Sequence, residues 1–249
     1  MVHIIYYLLT MTDSNSTPCV KDSSSTPNGC IALTFERGYY RHDGFFIKRS
    51  LRPSEFRTGY KGLHIPRLGK ERLQNEAETL QFIRRVSDIP VPQLYGAFEI
   101  DGSYLLFMEY IDGISMSQLS KEQKEVVSTE LEQYLDILHG IISKTIGGPS
   151  GIVIPPYRVM RQSGNDAWPR LSSETCDYVF CHNDLSQQNV IVDPHTLKIK
   201  AIIDWEYAGF FPVYFDYPFY KRLGPSVALE GERDDVPELL RFLNSEHTN

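Results

Sequence analysis

The sequence predicts a fold of strands and helices, α+β in class, and three observations carry that expectation. Two apolar runs, 94–100 and 103–110, flank an Asp101-Gly102 pair, the dipeptide that favours a tight hairpin turn. Residues 71–86 place Leu73, Ala77, Leu80 and Ile83 at the spacing of one helical face. A longer helix opens at Ser120, where Gln123 completes a capping box, and Val127, Leu131, Tyr134, Leu138 and Ile141 line its apolar side. At 249 residues the chain is long enough for a substantial core, in one domain or in two lobes.

In order, residues 1–30 read as a flexible leader. The apolar start, 2–11, has neither the basic beginning nor the cleavage site of a signal sequence. Residues 12–30 are rich in Ser, Thr, Asn and Pro and bury too little apolar surface to offset the entropy of ordering. Strands are expected over 31–36 and 45–49, joined through the segment Gly38 to Gly44. From Lys48 to Arg72 the chain holds eight Lys or Arg against two acids, with glycines and prolines that suit a loop. The helix 71–86 ends before Pro90 and Pro92. Glu76 shares the buried stripe of that helix, where an unpaired carboxylate is costly. Lys48, at the end of strand 45–49, is the partner this reading assigns to it. Residues 147–151 break the chain, and 152–171 read as irregular.

The densest chemistry lies in 179–206, VFCHNDLSQQNVIVDPHTLKIKAIIDWE. A short apolar strand leads into a polar loop, His182 to Asn189. The chain resumes as a strand at 190–192, turns at Asp193-Pro194 and returns over 197–203, where Leu197, Ile199 and Ala201 alternate with Lys198 and Lys200. Asp184, Asn189 and Asp204 then emerge at neighbouring strand ends. Phosphoryl transfer asks little covalent chemistry of a protein; it needs an aimed nucleophile and neutralised phosphate charge. Asp184 is placed to take the acceptor hydroxyl's proton, and Asn189 and Asp204 offer a neutral and a charged oxygen to Mg²⁺, which is content with few protein ligands. His182 is expected to pack behind the loop.

CHNDLSQQNVIVDP and AIIDWEYAGF resemble the aminoglycoside phosphotransferase and choline-kinase-like group, in particular its fungal phosphotransferase enzyme family. The resemblance runs from about Phe35 to about Leu223 and is most specific in 179–206. It implies a bilobal protein-kinase-like fold: a small, mostly antiparallel β N-lobe with one helix, 31–109, and a larger, mainly helical C-lobe, 110–249. It implies transfer of the ATP γ-phosphate to a hydroxyl of a small molecule, with Mg²⁺ as cofactor and ATP as co-substrate. Lys48, supported by Glu76, would reach the nucleotide phosphates. Glu109, Tyr110 and Ile111 would meet the adenine at the hinge, and Asp216 would anchor the active loop. Trp205-Glu206 stands where protein kinases carry Phe-Gly, which argues against a mobile activation segment.

A net charge of −7 argues against a general nucleic-acid binder. Four cysteines without metal-ligand spacing fit free thiols in a reducing, cytoplasmic setting, and no apolar run approaches the ~20 residues that span a bilayer. No membrane partner is expected. Two departures keep an alternative open, a kinase-like binding or scaffold module without turnover. No G-x-G-x-x-G precedes Lys48, although Gly38 and Gly44 offer glycine for a shorter phosphate-covering turn, and only about forty residues follow Asp204.

Overall fold

The computed structural model describes residues 29–175 and 177–245. The expected leader falls outside them except for its last two residues. The chain divides into two compact units. The first comprises the described residues up to Leu73 together with Gln93–Asp112, and the second comprises Gln74–Pro92 and the described residues from Gly113 onward.

The first unit is a five-stranded antiparallel sheet in the order β1-β2-β3-β7-β6. Its strands are β1 (Cys30–Leu33), β2 (Arg37–His42), β3 (Phe45–Ser50), β6 (Leu94–Ile100) and β7 (Ser103–Glu109). The Asp101-Gly102 hairpin forms as expected, with φ of 49° and 72° at its two central residues. A second hairpin of the same kind was not expected. Residues 37–42 pair along their whole length with β3, and Asp43 (φ 42°) and Gly44 (φ 85°) make the turn. The segment between Gly38 and Gly44 is thus a strand rather than a connection. Its two tyrosines read poorly as a strand because Arg, His and Gly surround them, whereas β3 supplies the hydrogen-bonding edge that decides the matter.

The basic stretch also folds. β4 (Arg57–Gly59) and β5 (Gly62–His64) form a small hairpin within the expected loop. Its charges are largely spent on structure. Arg49 makes a bidentate pair with Glu55 at 2.5 and 2.6 Å, Arg52 donates to the Asp101 carbonyl at 2.8 Å, and Lys70 pairs with Glu99. Glu36 accepts from Arg72 at 2.7 Å and meets the His64 ring at 2.5 Å, so one carboxylate joins β5 to the start of the following helix.

That helix, α1 (Gly69–Val86), is one turn-fraction longer than expected and buries Leu73, Ala77, Leu80 and Ile83. Within the second unit, α2 (Lys121–His139) begins at the Ser120–Gln123 capping box and buries Val127, Leu131 and Leu138 completely. Each such leucine contributes about 1.5–3 kcal/mol relative to exposure. Two three-stranded antiparallel sheets follow. One has β10 (Tyr178–Cys181) between β13 (Gly209–Phe211) and β9 (Ile142–Ser143). The other has β11 (Val190–Val192) between β12 (Ile199–Ile202) and β8 (Ile114–Ser115). The stretch 152–171 is not wholly irregular, since it contains the helix α3 (Tyr157–Gln162). Its Val159 joins Phe211, Phe215 and Leu239 of α4 (Val236–Leu243) in one apolar cluster. Among the described residues no helix is long and apolar enough to cross a membrane.

Glu36 provides a stability test. Burial pushes its carboxyl up, but His64, Arg72 and Arg37 outweigh that and hold it near 2, below the usual 4.5. A lowered carboxyl stabilises the fold above its unfolded value and loses that contribution as pH falls through the folded one. Glu36→Gln should therefore cost about 1–2 kcal/mol at pH 7, screening of this half-exposed network included. The difference from wild type should shrink between pH 4.5 and pH 2, as measured by denaturant melts across pH.

Candidate active site

The loop between β10 and β11 has no ladder of its own, and its shape comes from bonds that enter from outside. Asn183 takes a left-handed conformation, φ 69°, one of the few side-chain types that tolerate it. Its N–H donates to Asp216 Oδ1 at 3.0 Å, its side-chain amide donates to the Tyr207 carbonyl at 2.8 Å, and its carbonyl accepts from Arg158 at 3.1 Å. Ser115 donates to the Gln187 carbonyl at 2.9 Å, and Gln187 donates to the Tyr220 carbonyl at 2.8 Å.

The loop and the β11–β12 hairpin bring the three oxygen-bearing residues to one place. Asn189 Nδ2 donates to the Asp184 carbonyl at 2.8 Å, and the Ile203 N–H donates to the Asn189 carbonyl at 2.9 Å, directly before Asp204. With Nδ2 engaged, Oδ1 is the Asn189 atom left to meet a cation. Asp204 is itself left-handed, φ 64° and ψ 52°, a conformation costly for a residue with a Cβ and one that recurs at functional sites. The chain then enters a single 3₁₀ turn, Trp205–Tyr207, tied by the Trp205 indole to the Ile202 carbonyl at 2.8 Å.

His182 lies fully buried behind the loop, its ring 4.5 Å from that of Trp205. The Asp184 N–H reaches its Nδ1 at 3.3 Å, and its Nε2 faces the Ile203 carbonyl at 3.0 Å, which fixes the tautomer with the proton on Nε2. Burial pushes the imidazole below its ordinary value, so the ring is neutral and holds geometry. Asp216 is bound on both oxygens, by the Asn183 N–H and by His139 Nε2 at 3.1 Å. Its burial favours the neutral acid, but His139 and the other donors more than compensate and keep the carboxyl below its usual range.

The Asp184 carboxyl is pushed up to about 7. Burial is the main cause, with the charges of Asp204 and Glu206 adding to it, while Ser226 and Arg158 act in the opposite sense. A divalent cation would offset the charge of Asp204 and Glu206 that adds to the rise at Asp184. Asn189 Oδ1 and the Asp204 carboxylate are a neutral and a charged oxygen that such a cation would take.

Lys48 and Glu76 belong to different units. Lys48 lies on β3 opposite Tyr39 and Leu106, Glu76 lies on α1, both are buried, and neither is without a partner. In the first unit the Glu109 N–H donates to the Gln93 carbonyl and the Tyr110 N–H to the Gly44 carbonyl, each at 2.8 Å, while Arg41 covers the Tyr110 ring at 3.8 Å. Ile111 follows in the irregular segment after β7.

Three residues that position the site were not singled out from sequence. Asn75, fully buried next to Glu76, donates to the Ala208 carbonyl at 2.8 Å and the Glu206 carbonyl at 3.2 Å, and it accepts from Ser150 at 2.8 Å. Gly148 passes so close that a Cβ there would stand 1.8 Å from Asn75 Oδ1. A polar residue beside an apolar stripe was the available signal. Arg158, on α3, is 2% exposed; besides Asn183 it bonds the Phe215 carbonyl at 2.7 Å and Asp235 through three contacts of 2.8 to 3.0 Å. Glu206, which stands where protein kinases carry glycine, adds its charge to what raises the Asp184 carboxyl. A cavity of about 490 Å³ lies beside α3, lined by Arg158, Arg161, Glu230, Glu232 and Asp234 among others.

Residues 157–240 match the family model described as phosphotransferase enzyme family. The chain resembles that family, as its loop sequence implied. The matched segment holds Asp184, Asn189, Asp204 and Asp216. A GDP complex of a mutant aminoglycoside 2′-phosphotransferase-IIIa is similar at TM-score 0.50 and 13% identity, over 88% of this chain and 76% of that one. An aminoglycoside-3′-phosphotransferase of type VIII gives 0.48 and 18%, over 84% and 79%. A thermostable mutant of aminoglycoside phosphotransferase APH(4)-Ia, in ternary complex with ADP and hygromycin B, gives 0.47 and 13%, over 75% and 68%. At 13% identity the first of these is a likeness of fold alone, and that fold is the kinase-like α+β fold of the aminoglycoside phosphotransferases. No curated protein matches the chain.

Removing one member of a buried ion pair leaves the other charge uncompensated. Arg158→Ala should therefore lower stability by about 3–5 kcal/mol, with Arg158→Lys recovering only part because a lysine cannot reproduce the fork, as read from urea melts.

Proposed function

We propose that this chain is a Mg²⁺- and ATP-dependent phosphotransferase acting on a hydroxyl of a small molecule. The observation that carries the reading is the meeting of Asp184, Asn189 and Asp204 at the mouth of one loop and one hairpin. The family match over the same residues supports it.

In this reading Asp184 orients the acceptor hydroxyl and takes its proton as the oxygen attacks the γ-phosphorus. Asn189 Oδ1 and the Asp204 carboxylate would hold Mg²⁺, which when bound neutralises charge on the phosphate oxygens. His182 and Asp216 keep the loop in shape through the bonds described above. Lys48, supported by Glu76, would contact the nucleotide phosphates. The base would dock on the segment Glu109, Tyr110 and Ile111, through groups other than the two N–H groups already engaged. The cavity beside α3 is the proposed acceptor side, with amino sugars and amino alcohols as the first compounds to try. A free, buried Cys181 fits the reducing conditions of the cytoplasm.

One observation favours the second reading, a binding module without turnover. The β1–β2 connection consists of Thr34, Phe35 and Glu36, and Gly38 lies inside β2, so neither supplies a glycine-rich cover for phosphates.

A thermal-shift titration with Mg·ATP and Mg·GTP, followed by turnover of an acceptor panel, separates the two. Turnover with Asp184→Ala should fall by roughly two to four orders of magnitude, as expected of a general base, with nucleotide affinity little changed. Asp204→Asn should raise the Mg²⁺ concentration needed for half-maximal rate. Wild-type turnover in Asp184→Ala would refute its role, and a nucleotide-induced shift without turnover of any acceptor would favour the binding module.

A further inference from the structure

An imidazole, a thiol and a carboxyl meet behind the active loop. His139 ends α2, Cys181 ends β10, and Asp216 follows the single turn Val213–Phe215. Each offers one donor atom, and the three atoms lie within 4.8 Å of one another. His139 Nε2 and Asp216 Oδ2 are 3.1 Å apart.

The surroundings of the thiol are rich in lone pairs and poor in donors. Cys181 is fully buried, and its Sγ faces the Val179 carbonyl at 3.6 Å and the Phe211 and Pro212 carbonyls at 3.9 Å. One S–H proton can serve only one of these oxygens well. Burial pushes the thiol up, and the charge of Asp216 adds to that, so the sulfur keeps its proton until a cation arrives. The Asp216 side chain is 2% exposed, and its other oxygen accepts from the Asn183 N–H. The His139 side chain is 27% exposed, which opens the group to solvent on one side.

We propose that His139, Cys181 and Asp216 form a zinc site, structural in role and built from residues other than Asn189 and Asp204. The inference does not depend on the phosphotransferase reading. On binding, the thiol proton leaves to water and a sulfur lone pair goes to the cation. The imidazole carries its proton on Nδ1 and gives the lone pair of Nε2. Asp216 gives Oδ2, while Oδ1 keeps the Asn183 N–H. Thiolate and carboxylate then balance the two positive charges, and water on the His139 side completes a tetrahedral set. Ordinary zinc bond lengths place such donors roughly 3.3–3.6 Å apart, within reach of small side-chain rotations from the observed spacing. Thiolate and imidazole select zinc over magnesium, whereas the oxygens of Asn189 and Asp204 have the opposite preference. The ion would fasten the end of α2 to the strand that leads into the active loop, and to the carboxyl that holds Asn183.

The test adds Zn²⁺ or Co²⁺ to the reduced, chelator-treated full chain in excess Mg²⁺ and reads bound metal, absorption and melting temperature. Wild type should bind one equivalent of zinc more than Cys181→Ala does. Its melting temperature should rise by roughly 5–10 °C at a hundredfold excess of zinc over Kd. Cobalt should give a thiolate-to-metal charge-transfer band. Band and shift should survive replacement of Cys19, Cys30 and Cys176 by serine and vanish in Cys181→Ala. His139→Gln, whose amide can keep the hydrogen bond to Asp216, should lose at least tenfold in zinc affinity, and a metal-free melting temperature near wild type shows that this loss is not unfolding. No zinc-induced shift in wild type would overturn the proposal. So would a band undiminished in Cys181→Ala, or zinc affinity unchanged in His139→Gln. Each of these results leaves the phosphotransferase reading standing.

Discussion

Three bonds to Asn183 decide the shape of the active loop. A loop of eight residues between two short strands has many conformations, and ordering each residue costs on the order of 1–2 kcal/mol. Asp216, Tyr207 and Arg158 meet the N–H, the side-chain amide and the carbonyl of this one residue. They come from three different stretches of chain, so the loop takes its active shape only when the second unit has folded around it. The left-handed backbone at Asn183 is stable because these partners over-determine it.

The same arrangement explains an electrostatic feature that would otherwise look like a fault. Asp184 carries a strongly raised carboxyl, and the charges of Asp204 and Glu206 add to what burial does to it. The surrounding cation, Arg158, is committed to Asp235 and to backbone carbonyls and opposes the rise only weakly. A chain built only for stability gains nothing from such a cluster. One built to receive a cation and phosphate oxygens has a use for it.

Local patterns in the sequence were enough for the elements that lie around the site. The Asp101-Gly102 turn, the Ser120–Gln123 cap and the stripe of Leu73, Ala77, Leu80 and Ile83 each rest on neighbours a few residues apart, and each formed. Strand β2, the β4–β5 hairpin and helix α3 were not legible. In β2 the pairing edge is supplied by β3, β4–β5 lies in a basic stretch whose partners Glu36 and Glu99 lie on other parts of the chain, and α3 is a helix of only six residues. Arg158 and Asn75 were invisible for a related reason: what each does is set by residues tens of positions away.

By itself the sequence determined the residue types at the site and their order, because Asp184, Asn189 and Asp204 are spaced by a loop and a hairpin whose local signals are strong. Tertiary structure alone decided that Asn189 turns its amide nitrogen to Asp184, and that Arg158 and Asp216 grip the loop from behind. Those contacts join distant segments, and hydrogen-bond direction between distant segments is not written in the periodicity of any one of them.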